Sequence, residues 1–346
     1  MIKRLTLIKP DDWHLHLRDD QTLATTVTHA SARVKRAIVM PNLNPPITSV
    51  SQANAYKKRI VEHIPKGDTF EPLMTLYLTQ DLSPRHIAAA KKAGIVAVKY
   101  YPRHATTNAA AGITDLNSKI DTLTAMANHG MPLLCHGEQN QTGVDVFDRE
   151  EVFIEQVLSP LQQQLPTLKI VLEHITTRFA VNYVKRAPDT LAATITAHHL
   201  WLNRNDLLGN GLKPHYYCMP VLKRSGDQQA LIQAATSGHP RFFMGTDSAP
   251  HAEDDKCSSC GCAGIYTGHA SIELYAQVFE HYGALDKLEN FCSLNGPHFY
   301  ELPINQETIT LKKSSWEIPQ HYPFNAQQNI VPFKGGESLD WQLDPT

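Results

Sequence analysis

The sequence predicts an α/β protein built as a (β/α)8 barrel, with helices after the last strand and an extended capping tail. Three observations lead there. Short apolar, β-branched runs recur along most of the 346 residues. Segments mixing polar and apolar residues at helical spacing separate them. The runs are apolar throughout rather than alternating, as strands covered on both faces are. No G-x-G-x-x-G or Walker A pattern is present, which weakens an open nucleotide-binding sheet.

Taken in order, the candidate strands are 5–8 leading into 13–17, then 37–40, 73–78, 95–100, 132–135, 169–172, 191–196 and 242–244, eight in all. Between them 52–63, 84–93, 115–129, 149–164 and 178–187 read as helices. Ser51, Ser83 before Pro84, and Thr114-Asp115 are their caps. Past the last strand, 270–282 and 284–292 also read as helices. The tail 297–346 is rich in Pro, Gln and Lys with scattered aromatics. It is expected to pack on the barrel, which makes 1–346 a single domain.

Charge excludes some partners. The 32 basic and 34 acidic side chains nearly cancel, and a pI near 6.8 leaves no footprint for nucleic acid or an anionic membrane. No run approaches the roughly 18 apolar residues of a membrane span, and the start lacks the apolar core of a signal peptide. Six cysteines, three of them bunched at Cys257, Cys260 and Cys262, do not make a disulfide scaffold in a chain this long. The expectation is a cytoplasmic protein acting on a small molecule. The 18 histidines ask for chemistry.

In such a barrel the active site forms at the carboxyl ends of the strands. There the first run ends in His14-Leu15-His16, the second in Met40-Pro41-Asn42 and the fourth in Val98-Lys99-Tyr100. The fifth ends in Cys135-His136-Gly137-Glu138, the sixth in Glu173-His174 and the eighth in Gly245-Thr246-Asp247. Each piece has a plain structural alternative: a histidine bonded to backbone, a lysine reaching to solvent, an aspartate capping a helix. Four histidines, a lysine and an aspartate from five strands require all those alternatives at once. Together they suit a two-metal site. Neutral imidazoles and carboxylates bind Zn²⁺, and two ions about 3.5–4 Å apart need a bridge. Lys99 can be that bridge only as a carbamate, formed when its amine reacts with CO₂.

These motifs resemble the amidohydrolase superfamily and, within it, the single-function bacterial dihydroorotases. The resemblance is carried by Asp12-Trp13-His14-Leu15-His16-Leu17-Arg18-Asp19, Met40-Pro41-Asn42-Leu43, Val98-Lys99-Tyr100-Tyr101-Pro102 and Leu134-Cys135-His136-Gly137-Glu138. Leu172-Glu173-His174-Ile175-Thr176-Thr177 and Gly245-Thr246-Asp247-Ser248-Ala249-Pro250-His251 complete it. It implies reversible closure of N-carbamoyl-L-aspartate to L-dihydroorotate, the third step of pyrimidine synthesis, by a homodimer. It also implies ligand roles: His14, His16 and Asp247 on the more buried zinc, His136 and His174 on the outer one, carboxylated Lys99 between them. Asp247 is then general base and general acid.

An arginine beside two cations points to an anionic substrate, and Arg18, two residues past His16, is expected on the same strand face as a bidentate fork. The resemblance adds Asn42 and His251 to that clamp, the backbone of Met219 and Ala263 as ring contacts, and Thr106 and Thr107 on a mobile lid. Rival readings are a hydantoinase- or allantoinase-type cyclic-amide hydrolase and a non-catalytic assembly barrel. The clamp disfavours the hydantoinase type, and the intact ligand set disfavours the assembly barrel. The cysteine cluster reads as a loop without a metal. His198 and His199, at the end of the seventh strand, read as second-layer or rim residues.

Overall fold

Pro10 splits the first apolar run into two strands that enter different sheets, because a proline cannot donate to a ladder. The computed structural model describes residues 2–259 and 261–344. In it β1 (Arg4–Ile8) pairs antiparallel with β10 (Thr308–Glu317), which pairs with β13 (Ser338–Leu343). The tail therefore contributes strands where the sequence shows only extended chain. A hairpin of β11 (Tyr322–Pro323) and β12 (Asn329–Ile330) lies between them. It is tied to the barrel mouth by Thr22 Oγ1 donating to Phe324 O at 2.9 Å and Ala326 N donating to Gln21 Oε1 at 2.8 Å.

The barrel is one eight-stranded parallel sheet in sequential order: β2 (Asp11–Leu15), β3 (Arg36–Val39), β4 (Glu71–Tyr77), β5 (Ala97–Tyr100), β6 (Leu133–His136), β7 (Ile170–Glu173), β8 (Leu191–Ile195) and β9 (Phe242–Met244). Helices cover its outside. Ser49, not Ser51, caps the helix Val50–Glu62, in a reciprocal capping box with Gln52. The helices Leu23–Arg33 and Ser225–Thr236 add to those read from the sequence. The 149–164 segment is helical but passes through a π turn at Ile154–Leu158. Among the described residues no helix is long and apolar enough to cross a membrane.

The inside of the barrel explains where the chemistry points. Ala97, Leu134, Val171, Ala192 and Phe243 form one buried apolar layer with Trp13, Ile38 and Met40. Side chains alternate with period two, so two residues further along the same inner face come Lys99, His136 and Glu173. Below this layer the helix Asn295–Tyr300 plugs the barrel, with Tyr300 stacked on Trp13 at a centroid distance of 4.3 Å and 11° between planes. A Cβ on Gly296 would strike the Trp13 indole, so only glycine lets this helix come so close. The open seam between β9 and β2 is sealed just past β9, where Asp247 N donates to His14 O at 2.9 Å and His16 N donates to Ser248 O at 3.2 Å.

Candidate active site

The seam that closes the barrel also assembles the most compact part of the site. His14 Nε2 and His16 Nε2 lie 3.3 Å apart, and Asp247 Oδ1 lies 3.3 Å from the first and 3.0 Å from the second. Tetrahedral zinc with bonds of about 2.0–2.1 Å sets its ligand atoms about 3.3 Å apart. The trio matches that spacing. Asp12 braces it from behind, its Oδ1 accepting from His14 N at 3.1 Å and Thr246 N at 2.9 Å, its Oδ2 from Thr246 Oγ1 at 2.6 Å.

The remaining candidates stand beside the trio. His174 lies between His14 and His136, with ring centroids 5.0 and 4.8 Å away. Its candidate ligand atom lies within 4.8 Å of those of His14 and Asp247, and its buried Nδ1 has no hydrogen-bond partner among the described residues. Strand alternation puts Glu173 on the inner face and would turn His174 outward. His174 adopts a left-handed backbone (φ 43°), as does Asp247 (φ 45°), and this brings both inside. Such strain is a cost that functional sites retain.

Two buried carboxylates hold candidate ligands, and the sequence reading gave neither a role. Glu173 Oε1 lies 3.0 Å from His14 Nδ1, and Glu173 Oε2 pairs with Lys99 Nζ. Glu138 Oε2 lies 2.8 Å from His136 Nε2. Carboxylate–histidine pairs of this kind fix which ring nitrogen faces a metal. The signal that could have found them is a glutamate beside a candidate ligand at the end of an apolar strand.

The electrostatics call for a cation. Burial opposes charge on His14, but Glu173 and Asp247 overcome it and raise its pKa to about 9. Burial disfavours ionised Asp247 too, and His14 with the bonds from both histidines outweighs it, holding the carboxyl well below its usual range. Burial pushes His16 down to about 4 and His174 well below its normal value, which keeps both lone pairs free. Two carboxylates facing His14, with His16 and His174 neutral, make a donor set that a metal ion would fit.

The predicted clamp lies at the rim of this cluster. Arg18 donates through Nε to Pro250 O at 2.9 Å, and its Nη2 is 2.9 Å from His251 Nε2. The same His251 nitrogen is 3.0 Å from Ala263 O. Asn42 Nδ2 donates to Thr107 O at 3.1 Å, and Thr107 Oγ1 donates to Ala263 O at 3.4 Å. Just outside, a cavity of about 800 Å³ is lined by Arg18, His251, Thr107 and the tail's Phe324.

Comparison with known proteins agrees with this geometry. The amidohydrolase family model matches residues 6–316. A dihydroorotase of Teredinibacter turnerae is 55% identical over 343 residues, covering 99% of both chains. The dihydroorotase of Campylobacter jejuni superposes with a TM-score of 0.91 at 34% identity, covering 100% of this chain and 99% of that one. That of Saccharomyces cerevisiae, solved with 5-fluoroorotic acid, gives 0.91 at 36% identity with both chains fully covered. The chain belongs to the dihydroorotase family.

As a dihydroorotase the chain departs from the sequence reading at Arg18 and at the His198-His199 pair. Arg18 does not share a strand face with His16: β2 ends at Leu15, and Arg18 reaches His251 through a left-handed turn (φ 60°). Thr107 touches Asn42 and Ala263, whereas Thr106 accepts Ala109 N at 3.2 Å within its own loop. His198 and His199 are not at the end of a strand or at a rim. Thr196 caps a helix straight after β8, so both lie in Ala197–Trp201 and are buried. His199 is held by Thr196 Oγ1 at 2.7 Å and Pro220 O at 3.0 Å, while neither His198 ring nitrogen has a hydrogen-bond partner among the described residues. In the cysteine segment, Cys257 Sγ lies 3.8 Å from His215 Nε2, and Cys260 falls outside the described residues.

Proposed function

We propose that this dihydroorotase interconverts N-carbamoyl-L-aspartate and L-dihydroorotate at a site holding two zinc ions bridged by carboxylated Lys99. The single observation that carries the reading is the His14–His16–Asp247 trio at zinc-ligand spacing beside the Arg18–His251 pair. His14, His16 and Asp247 would hold the inner ion, and His136 and His174 the outer one. When bound, the ions supply a nucleophile at neutral pH and a Lewis acid for the ring carbonyl.

The chain's own groups do the rest. Arg18, Asn42 and His251 take the carboxylate that the reaction leaves unchanged. A neutral imidazole nitrogen is either donor or acceptor, so His251 Nε2 cannot use both Arg18 and Ala263 O at once. An arriving carboxylate resolves that conflict by taking the Arg18 donor. Backbone groups of Met219 and Ala263 hold the ring. In the hydrolytic direction a C–O bond forms at the ring carbonyl and its C–N bond breaks. Asp247 takes the proton of the attacking water and returns it to the leaving nitrogen. In the biosynthetic direction Asp247 removes the amide proton and water leaves. Thr106 and Thr107 close over the bound substrate. A cytoplasmic homodimer is the form proposed for it.

Assays on dihydroorotate, hydantoin and allantoin in parallel test the reaction, with turnover expected on dihydroorotate; inactivity on that substrate alone would refute it. Metal analysis should return two zincs per chain. Native mass measurement should show one CO₂ that is lost on acidification and missing from Lys99→Ala, which should also lose metal.

A further inference from the structure

Lys256 ends the short helix Glu253–Lys256, just beyond His251, and is buried. Its Nζ donates to three main-chain carbonyls: Tyr217 O at 2.7 Å, Gly264 O at 2.7 Å and Cys262 O at 3.0 Å. An ammonium has three N–H donors, and here each has an acceptor. Burial lowers its pKa to about 8, which leaves it protonated at neutral pH. The three carbonyls come from two loops, one following β8 and the other following β9. The loops meet directly as well, where Gly264 N donates to Tyr217 O at 3.0 Å.

These carbonyls flank the two residues whose backbone is proposed to hold the substrate ring. Cys262 and Gly264 bracket Ala263, and Tyr217 precedes Met219 by two residues. Ala263 O meanwhile receives Thr107 Oγ1 and faces His251. The packing is close at Gly264: at φ +154° a Cβ there would lie 2.7 Å from Ala249 O and 2.9 Å from the His251 ring. Three carbonyl oxygens converging on one buried point repel one another unless a cation stands between them.

We infer that Lys256 is a positioning residue for the ring-binding backbone, its ammonium holding the 217–219 and 262–264 segments at the separation the ring needs. This rests on the proposed ring contacts of Met219 and Ala263. Lys256 touches no reacting atom and acts only through the two loops.

The test compares the zinc-loaded wild type with Lys256→Met, which keeps the stem and removes all three donors. The expected result is a rise of roughly tenfold or more in KM for L-dihydroorotate. The dissociation constant for 5-fluoroorotate, measured by calorimetry, should rise in parallel. The zinc content should stay the same and kcat should change much less. Lys256→Arg, which keeps a buried cation, should recover part of the affinity. Unchanged KM and 5-fluoroorotate affinity in Lys256→Met would overturn the inference, and so would an equal collapse of kcat, zinc content and binding. Should Lys256→Met fail to fold, Lys256→Gln, which is uncharged and has two N–H donors for the three carbonyls, takes its place. A smaller rise in KM and in the 5-fluoroorotate dissociation constant is then expected in the same direction, and no change in either would overturn the inference. A wild type that turns over dihydroorotate but does not bind 5-fluoroorotate would instead count against the ring contacts themselves.

Discussion

Asp247 and His14 are joined twice: Asp247 N donates to His14 O at 2.9 Å, and Asp247 Oδ1 lies 3.3 Å from His14 Nε2. The first contact closes the barrel and the second forms part of the candidate metal trio. The spacing of the trio is therefore set by the closure of the whole sheet, not by a flexible loop. Asp12 reinforces it by accepting from both His14 N and Thr246 N.

Asp247→Asn separates the two roles. The backbone bond survives, so the melting temperature should stay close to that of the wild type. The carboxylate proposed as both metal ligand and proton acceptor is gone, and kcat should fall by roughly 10²–10⁴. Steady-state kinetics beside thermal melts check this, and a variant with near-normal kcat would remove Asp247 as the base.

Arg18→Lys tests the clamp. A lysine presents a point charge where the guanidinium offers a planar fork to Pro250 O, His251 and an incoming carboxylate. KM for dihydroorotate should rise by about tenfold or more while kcat changes less, because this carboxylate takes no part in bond making. An equal loss in both parameters would place Arg18 in the chemical step.

His29 gives a pH test that does not involve the candidate metal trio. It lies 2.6 Å from the Tyr266 hydroxyl and edge-on to Tyr322 of the tail hairpin. Burial, with Arg33 nearby, lowers its pKa from 6.5 to about 4. Its folded value is below its unfolded one, so the folded state binds fewer protons in that window and stability falls as pH falls. The His29 contribution is whole above pH 6.5 and lost on the way down to about 4. His29→Gln should be less stable than the wild type at neutral pH, and the gap should shrink on acidification. A gap that does not change with pH, in melts recorded across this range, would contradict the linkage.

Gly296→Ala tests the plug. Its new methyl would meet the Trp13 indole, already stacked on Tyr300. Overpacking a filled core costs about 1–3 kcal/mol, to be read by urea denaturation. A smaller site-to-site effect on dihydroorotate KM is expected, since the plug lies under the apolar layer and not beside the substrate. Unchanged stability would mean that the helix shifts freely.

Much of the candidate site was legible because a parallel barrel writes its chemistry at the ends of apolar runs. His14, His16, Lys99, His136, His174 and Asp247 could all be picked out by asking what stands where each run stops. The same rule passed over Glu173 and Glu138. They look like ordinary charged residues at a strand end, and their value lies in the partners opposite them. Strand alternation also misled: it put Arg18 on a strand face that ends three residues earlier, and it offers no reason for His174 to point inward. Left-handed backbone at Arg18, His174 and Asp247 decides all three positions.

The amino-acid order alone determined the fold class and the inventory of candidate ligands, because hydrophobic periodicity and residue type are local properties. Only the tertiary structure decided how those ligands meet. The His14–Asp247 seam joins residues more than two hundred positions apart, and Lys256 ties together loops from two different strands. Such contacts form only when the barrel closes, so nothing in the neighbouring sequence can announce them.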